Sequence, residues 1–354
     1  MSWTRFVGVF WLAHQQIVGV SNTWVLPYVM DIFPSHTPKL QLLDLLFRTR
    51  SCQASDPRDK VFAMVGMSES ASEECLRPDC RKSTVDVYIE TAVFLQEKFG
   101  LSFLSGVQGL PRLPNLPTWV PDWSQYPAHN PSRPSDPSHG GNPLDMRRHA
   151  GGSPDLKFAT TFANEQLSGR MCLKVRGFRL DVVSRLGKTI DSTDWYWRET
   201  VREWLTSLPP AETGEGSVGS RDSLLCVTAP TIGIRYPPAS QRILGLALAS
   251  GSKMDGRNES SQARLKSRIM GRRLLVTEKI YVGLAPAEAR LGDIVCIFLG
   301  AHVPFVLRRL NETFELIGEC ILDGVMDGQA IERVDLKCAD TDTPQLPFED
   351  FIIV

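Results

Sequence analysis

Residues 54–67 read ASDPRDKVFAMVGM, and they contain the signals of a turn that leads into a helix. Asp56 can accept hydrogen bonds from the first free amide groups of that helix, and Pro57 has a fixed φ that suits the first helical position. Asp59 places a negative charge near the positive end of the helix dipole. The stretch therefore predicts a helix whose cap is Asp56.

Helical patterns continue on both sides of this stretch. Its own apolar residues share one face: Val61, Phe62 and Val65. Gly66 can then end the helix in a left-handed conformation. Before it, residues 40–47 (LQLLDLLF) read as a compact apolar helix, and after it residues 83–99 read as an amphipathic helix with a capping box formed by Ser83 and Asp86. We predict that the chain is helical up to about residue 106.

A segment rich in proline, serine and glycine, residues 125–154, differs in composition from the rest of the chain. It holds few large apolar side chains, so it cannot bury enough surface to offset the entropy that is lost on ordering. We predict that it is a disordered insertion. It separates a helical region, residues 1–124, from a β-rich C-terminal domain, residues 155–354.

β-strand patterns dominate after this insertion. The alternating or apolar runs are residues 171–175, 180–186, 274–282, 293–299, 304–310 and 313–322. A helix is predicted for residues 194–208, and a partly helical stretch for residues 246–273. Asn311 and Glu312 join the last two strands at hairpin distance. The predicted fold class is α+β, with an N-terminal helical region followed by a mainly antiparallel β domain that a few helices cover.

The composition limits the classes of partner. The chain has 354 residues, of which 42% are hydrophobic and 22% are charged, and its net charge of −1 gives no basis for a nucleic-acid partner. No apolar run reaches the roughly 18 residues that a membrane span needs. The eight cysteines are scattered, and only Cys75 and Cys80 lie close together, so no zinc site is predicted. We predict a cytoplasmic protein without a metal or a cofactor.

The sequence offers no clear catalytic or nucleotide-binding motif. Residues 214–219 (GEGSVG) match the spacing G-x-G-x-x-G, but a dinucleotide site needs a preceding strand, and Pro209 and Pro210 stand there instead. None of the six histidines belongs to a pattern that marks a nucleophile and its base, and His302 reads as a turn residue. No catalytic, cofactor-binding or metal-binding residue is therefore predicted, and the chain is expected not to be an enzyme.

Two polar or aromatic groups allow two interpretations each, and a third group is predicted to form an ion pair. Arg58 and its charged neighbours either form a polar site or clamp a carboxylate or carbonyl at the start of a helix. Trp119 and Trp123 either form a ligand platform or pack a strand end onto the core. Arg308 lies in an apolar strand, and we predict that it pairs with an acid such as Glu319 across the hairpin. The structural interpretation is favoured in each case.

Four stretches resemble the region that follows the HET domain in fungal heterokaryon-incompatibility (HET) proteins. DPRDKVFAMVGM at residues 56–67 resembles the family's DPRDKVYALLGL, and LPTWVPDWS at residues 116–124 resembles LPSWVPDWS. Residues 277–293 (TEKIYVGLAPAEARLGD) and 303–328 (VPFVLRRLNETFELIGECILDGVMDG) are similar to two later family patterns. The positions that match the family motifs, all predicted to be structural, are Asp56, Pro57, Arg58, Asp59, Lys60, Trp119, Pro121, Asp122, Trp123, Gly283, Pro286, Gly292, Asp293, Pro304, Arg308, Gly318, Glu319, Gly324 and Gly328.

The resemblance implies a role in nonself recognition, in which the HET domain triggers growth arrest and programmed cell death after unlike cells fuse. That domain resembles Toll/interleukin-1-receptor (TIR) domains, some of which cleave NAD. Its A-L-S-Y-x-W-G and W-I-D-A-x-C-I-N-Q marks do not occur in this sequence, so we expect the HET domain to be missing or truncated. The expected function is a non-enzymatic regulatory or interaction module with a protein partner. The alternatives are a TIR-like NAD-hydrolysing effector whose catalytic segment is missing from this sequence, and a non-functional truncated paralogue.

Overall fold

The computed structural model describes residues 41–108, 112–129, 150–151, 171–191, 195–208, 266, 268–326, 328–331 and 348–354. The helices are α1 (Leu42–Arg48), α2 (Asp59–Met67), α3 (Thr84–Phe99) and α4 (Trp197–Ser207), with 3-10 helices at Glu74–Leu76 and Gly100–Gly106. The strands are β1 (Leu173–Thr189), β2 (Arg272–Thr277), β3 (Val282–Pro286), β4 (Ile294–Phe298), β5 (Phe305–Leu310), β6 (Thr313–Glu319), β7 (Ile321–Leu322) and β8 (Glu349–Ile353). Helices precede a mainly antiparallel sheet, so the predicted α+β class is confirmed.

Helix α2 forms from the predicted stretch, but its start and its end differ from the prediction. The side chain of Asp56 accepts a 2.9 Å hydrogen bond from the amide of Arg58, and a separate turn precedes the helix, because the amide of Asp59 bonds to the carbonyl of Asp56 at 3.0 Å. The helix therefore begins at Asp59. Gly66 lies inside the helix, which continues to Met67, so its predicted left-handed conformation is wrong.

Helix α3 confirms its predicted start. The hydroxyl of Ser83 accepts a hydrogen bond from the amide of Asp86 at 3.1 Å, and the carboxylate of Asp86 accepts one from the amide of Ser83 at 3.3 Å. Gly100 ends the helix with a φ of +58°. Tyr88 and Leu95 on its inner face are completely buried, so α3 is held by core packing in addition to its cap.

Strand β1 is long and pairs with different partners along its length. Its first part pairs with β8, its middle part with β4, and its last part, from Val183, with β2. β4 continues to β5 and β5 to β6, and β6 reaches β8 through a short parallel pairing. The pairings β1–β4–β5–β6–β8–β1 therefore close into a barrel, and β2, β3 and β7 extend the sheet from the last part of β1.

Both faces of the central strands are buried. In β4, Val295 and Ile297 belong to one apolar cluster, whereas Cys296 and Phe298 belong to a second cluster on the opposite face. The second cluster also contains the apolar faces of the helices, including Leu95 of α3. The helices and one face of the central strands thus share this second cluster. The predicted division at residues 124 and 155 stays a prediction.

The hairpin prediction is confirmed and two strand predictions are corrected. Leu310 pairs with Thr313, which leaves Asn311 and Glu312 as the turn, and Asn311 adopts a φ of +52° that asparagine tolerates. The run 274–282 is the end of β2, a turn and the start of β3, because the chain reverses there. The run 171–175, from Leu173 onward, and the run 180–186 are parts of the single strand β1.

Several predictions fall partly or wholly outside the described residues. These are the helical reading of the first 40 residues, the motif-like run 214–219, and most of the stretch 246–273. The predicted insertion 125–154 overlaps the described residues only at 125–129 and 150–151, where His129 and Ala150 are buried. The helix predicted for 194–208 is observed from Trp197 to Ser207.

Candidate functional site

Arg58 joins the start of α2 to the loop that leads into α3. Its guanidinium donates to both carboxylate oxygens of Asp56, the shortest contact being 2.6 Å, and to the carbonyls of Cys80 at 2.5 Å and Lys82 at 3.0 Å. Hydrogen bonds from Arg58 lower the pKa of Asp56 to about 2. The hydroxyl of Tyr88 reinforces the same junction by donating to the carbonyl of Pro57 at 2.7 Å.

Lys60 holds the carboxyl end of α1. Its ammonium group donates to the carbonyls of Thr49 and Arg50, each at 3.0 Å, and to the carbonyl of Cys52. Burial lowers the pKa of Lys60. A cation at this position binds carbonyls just after the helix and matches the negative end of its dipole.

Buried charges organise the segment 116–124. The carboxylate of Asp122 accepts hydrogen bonds from the amide of Leu113 at 2.9 Å and from the amide and hydroxyl of Ser124 at 3.1 and 2.6 Å. Arg50 donates to the carbonyl of Asp122 at 2.9 Å, and Arg112 donates to carbonyls of the same segment. Burial lowers the pKa values of Arg50 and Arg112 to about 10, while the charge of Asp122 opposes this shift.

The two tryptophans of this segment are inside the protein. Trp119 donates through its indole nitrogen to the carbonyl of Met171 at 3.2 Å and meets Phe103 edge to face at 6.4 Å. Trp123 contacts Phe47 at 5.9 Å between ring centroids, and the guanidinium of Arg50 lies over its ring. Both side chains are at most 1% exposed, so neither presents a ring at the surface for a ligand.

A second group of motif residues meets at the start of β4. Arg308 donates to both carboxylate oxygens of Asp293, at 3.0 and 2.9 Å, and to the carbonyl of Glu288 at 3.0 Å. The predicted pairing of Arg308 with Glu319 is therefore wrong. The register of β5 and β6 places Glu315 opposite Arg308 and Glu319 opposite Phe305, so Glu319 is out of reach.

We expect the substitution Asp293→Asn to lower the free energy of unfolding by about 1.5–3 kcal/mol. The side chain of Asp293 is 3% exposed, so Arg308 would lose a charged partner that water cannot fully replace. Urea unfolding of the two proteins measures the change. Glu315→Gln on the facing strand is the matched control. Its free energy of unfolding is expected to change by no more than about 0.5 kcal/mol, as is usual for substitutions outside the core and its ion pairs. Equal losses for both variants would contradict the assigned pairing.

The barrel and the segment that leads to His129 meet in a buried polar contact, which we call the seam. Residues 105–108 and 128–129 form one side, and Arg272, His302, Gly318 and Glu319 form the barrel side. Arg272 donates to a carboxylate oxygen of Glu319 and, at 3.3 Å, to its carbonyl oxygen. The side chains of both residues are at most 1% exposed.

Three further contacts lie along the seam. The side-chain oxygen of Gln108 accepts a hydrogen bond from the amide of His129 at 3.2 Å, and the hydroxyl of Ser105 lies 3.3 Å from Nε2 of His302. Nε2 of His129 is 3.9 Å from Oε1 of Glu319. The seam was not predicted from the sequence, because its residues lie far apart in the chain. The available signal was the charged residues Arg272 and Glu319, each next to an apolar stretch of its strand.

Glycine and proline motif positions shape the turns and close contacts of the barrel. A Cβ atom at Gly283 would lie 2.0 Å from the carbonyl oxygen of Ile321, so the pairing of β3 with β7 requires glycine there. Pro286 packs against Gly318, the carbonyl of Pro304 accepts the amide of Cys320 at 2.9 Å, and Pro121 packs against Gly106. Glycines with positive φ stand at turns: Gly292, Gly324 and Gly328.

The charged motif residues Arg58, Lys60 and Arg308 bond to carboxylates or to backbone carbonyls. Within the described part of the chain, no three His, Cys, Asp or Glu side chains gather in a way that could hold a metal ion. A shallow surface depression lies between α2 and α3, lined by residues that include Phe62 and Glu90. None of the described helices combines the length and the apolar character that crossing a membrane requires.

Comparison with known proteins agrees with the barrel and with the motifs. Residues 247–337 match the Het-6 beta-barrel domain family, and this range includes β2 to β7. The chain is therefore related to the fungal heterokaryon-incompatibility proteins, as its motifs indicate. It is similar to heterokaryon incompatibility protein 6, OR allele, of Neurospora crassa, with 22% identity over 365 residues that cover 79% of this chain and 50% of that protein. The chain thus spans about half the length of this curated relative, and no solved structure matches it.

Proposed function

We propose that this chain acts in fungal heterokaryon incompatibility as a regulatory or protein-interaction module and not as a catalyst. The similarity to heterokaryon incompatibility protein 6 supports the process. The observation that supports a non-catalytic role is that the charged motif residues are bonded to other groups of the protein. Arg58, Lys60 and Arg308 each bond to backbone carbonyls, and Arg58 and Arg308 also hold a carboxylate. Groups bound in this way position the backbone and are not poised to react.

Exposed aromatic side chains supply a candidate contact surface for a protein partner. Trp195 and Tyr196, which directly precede α4, are 89% and 74% exposed. Large exposed aromatics are enriched where proteins bind each other, because one such side chain buries much apolar area in a complex. The adjacent helix is anchored, since Trp204 donates to the carbonyl of Lys188 at 3.1 Å. The pair therefore lies next to a fixed element.

The catalytic alternative is tested with purified protein and NAD. We expect no NAD turnover above that of a buffer blank, because the described polar motif groups are engaged in the fold. The measurement is chromatography of NAD, nicotinamide and ADP-ribose over time, with a known NAD-cleaving TIR domain as the positive control. Production of nicotinamide by this protein would contradict the proposal.

The role in incompatibility is tested in the fungus. Deleting the gene from one of two incompatible strains is expected to weaken growth arrest and cell death where their hyphae fuse. Restoring the gene as encoded is expected to restore the response, whereas restoring it with Trp195→Ser is expected to restore it only in part. Glu203→Ser, a change at an exposed position of the adjacent helix α4, is the matched control. A full response after deletion would contradict the proposal.

A further inference from the structure

His129 is a buried histidine at the meeting point of four parts of the chain. Its side chain is 1% exposed, and its amide is held by Gln108. The neighbouring backbone lies close to the barrel, because a Cβ atom added at Gly271 would be 1.7 Å from the carbonyl oxygen of Ala128. Among the described residues, neither imidazole nitrogen of His129 has a hydrogen-bond partner. The ring is therefore enclosed without being bonded.

The charged groups around this ring come from three different elements. Arg272 at the start of β2 and Arg50 after α1 act against a positive charge on the imidazole. Glu319 at the end of β6 is 3.9 Å away and would favour that charge, but the same carboxylate oxygen is already bound to Arg272. Burial contributes most, and together these effects hold the pKa of His129 well below its ordinary value of 6.5. The ring is thus neutral in the closed seam.

We propose that the seam is an acid-sensitive contact, in which protonation of His129 separates residues 105–108 and 128–129 from the barrel. The inference goes beyond the proposed interaction role and does not depend on it. Protonating an enclosed imidazole beside Arg272 would place two positive charges next to each other, and the oxygen of Glu319 that lies 3.9 Å from the ring already accepts a hydrogen bond from Arg272. Opening the seam exposes the ring to water, where it can take up a proton.

The direction of the pH dependence follows from proton binding by His129 in the open and the closed seam. The open state binds a proton near pH 6.5, whereas the closed state binds one only at much lower pH, so the open state holds more protons between these values. Stability of the closed seam is fully present above pH 6.5 and is lost as the pH falls below it. The population of the open state is then expected to rise by up to about tenfold for each pH unit.

The test is amide hydrogen exchange of the full chain between pH 7.5 and 5, with rates corrected for intrinsic exchange. Exchange of residues 105–108 and 128–129 is expected to accelerate by about tenfold per unit below the ordinary histidine pKa. Strand β4 is expected to show no such acceleration. His129→Gln is expected to remove the pH dependence, and His302→Gln, the matched control in the same seam, is expected to keep it.

Three results would overturn the proposal. One is undiminished acid acceleration in His129→Gln. Another is equal acceleration in β4, which would mean that the whole fold opens and not the seam. If His129→Gln does not fold, the imidazole proton signals of His129 in the unmodified chain decide the question. A ring that titrates near its ordinary pKa while the seam amides stay protected would exclude the mechanism, and a ring that stays neutral until the seam opens would support it.

Discussion

The substitution Glu319→Gln is expected to lower the free energy of unfolding by about 3–5 kcal/mol, because it breaks a buried ion pair and leaves one charge alone. The side chains of Glu319 and Arg272 are at most 1% exposed. Without the carboxylate, the guanidinium of Arg272 would keep its positive charge in a place that water does not reach. Removing one partner therefore lowers stability by much more than the net contribution of the ion pair.

Chemical unfolding in urea, followed by circular dichroism, measures this loss. The control is Asp350→Asn, which removes the partner of Lys174 and Arg176 on the surface, where the three side chains are 38–51% exposed. Surface pairs of this kind contribute about 0–1 kcal/mol. A double variant with Arg272→Met and Glu319→Leu is expected to recover much of the lost stability, because no charge is then left without a partner. A loss no larger than that of Asp350→Asn would contradict the buried pair.

Local patterns in the sequence predicted the elements that depend on neighbouring residues. The capping box of α3 needs only Ser83 and Asp86, which are three residues apart, and it forms as predicted. The hairpin between β5 and β6 likewise depends on a two-residue turn. The start of α2 was misplaced because Asp56 serves a turn before the helix, and Arg58 occupies its carboxylate. Arg58 also bonds to the carbonyls of Cys80 and Lys82, which are distant in the sequence and could not be foreseen from the local pattern.

Contacts between residues that are distant in the sequence could not be predicted from local patterns. Closure of the barrel depends on β8, which pairs with β1 across about half of the chain. The partner of Arg308 was misassigned because alternation identifies the faces of a strand but not the register of its neighbours. Asp293 and Glu319 are both acids within reach along the sequence, and only the register separates them. The seam was missed for the same reason, since Arg272, His129 and Glu319 come from three separate elements.

Trp123→Ala is expected to be the other severe change, with a loss of about 3–5 kcal/mol in the free energy of unfolding. The ring is 1% exposed, packs against Phe47 and lies under the guanidinium of Arg50, so its removal leaves a cavity and a buried cation without its aromatic contact. Its indole nitrogen has no hydrogen-bond partner among the described residues, so the loss reports packing and not a broken hydrogen bond. Trp195→Ala removes the same side chain at 89% exposure and is expected to change stability by less than about 0.5 kcal/mol. Urea unfolding followed by circular dichroism compares the two variants without relying on tryptophan fluorescence, and a similar loss in both would show that Trp123 is not part of the core.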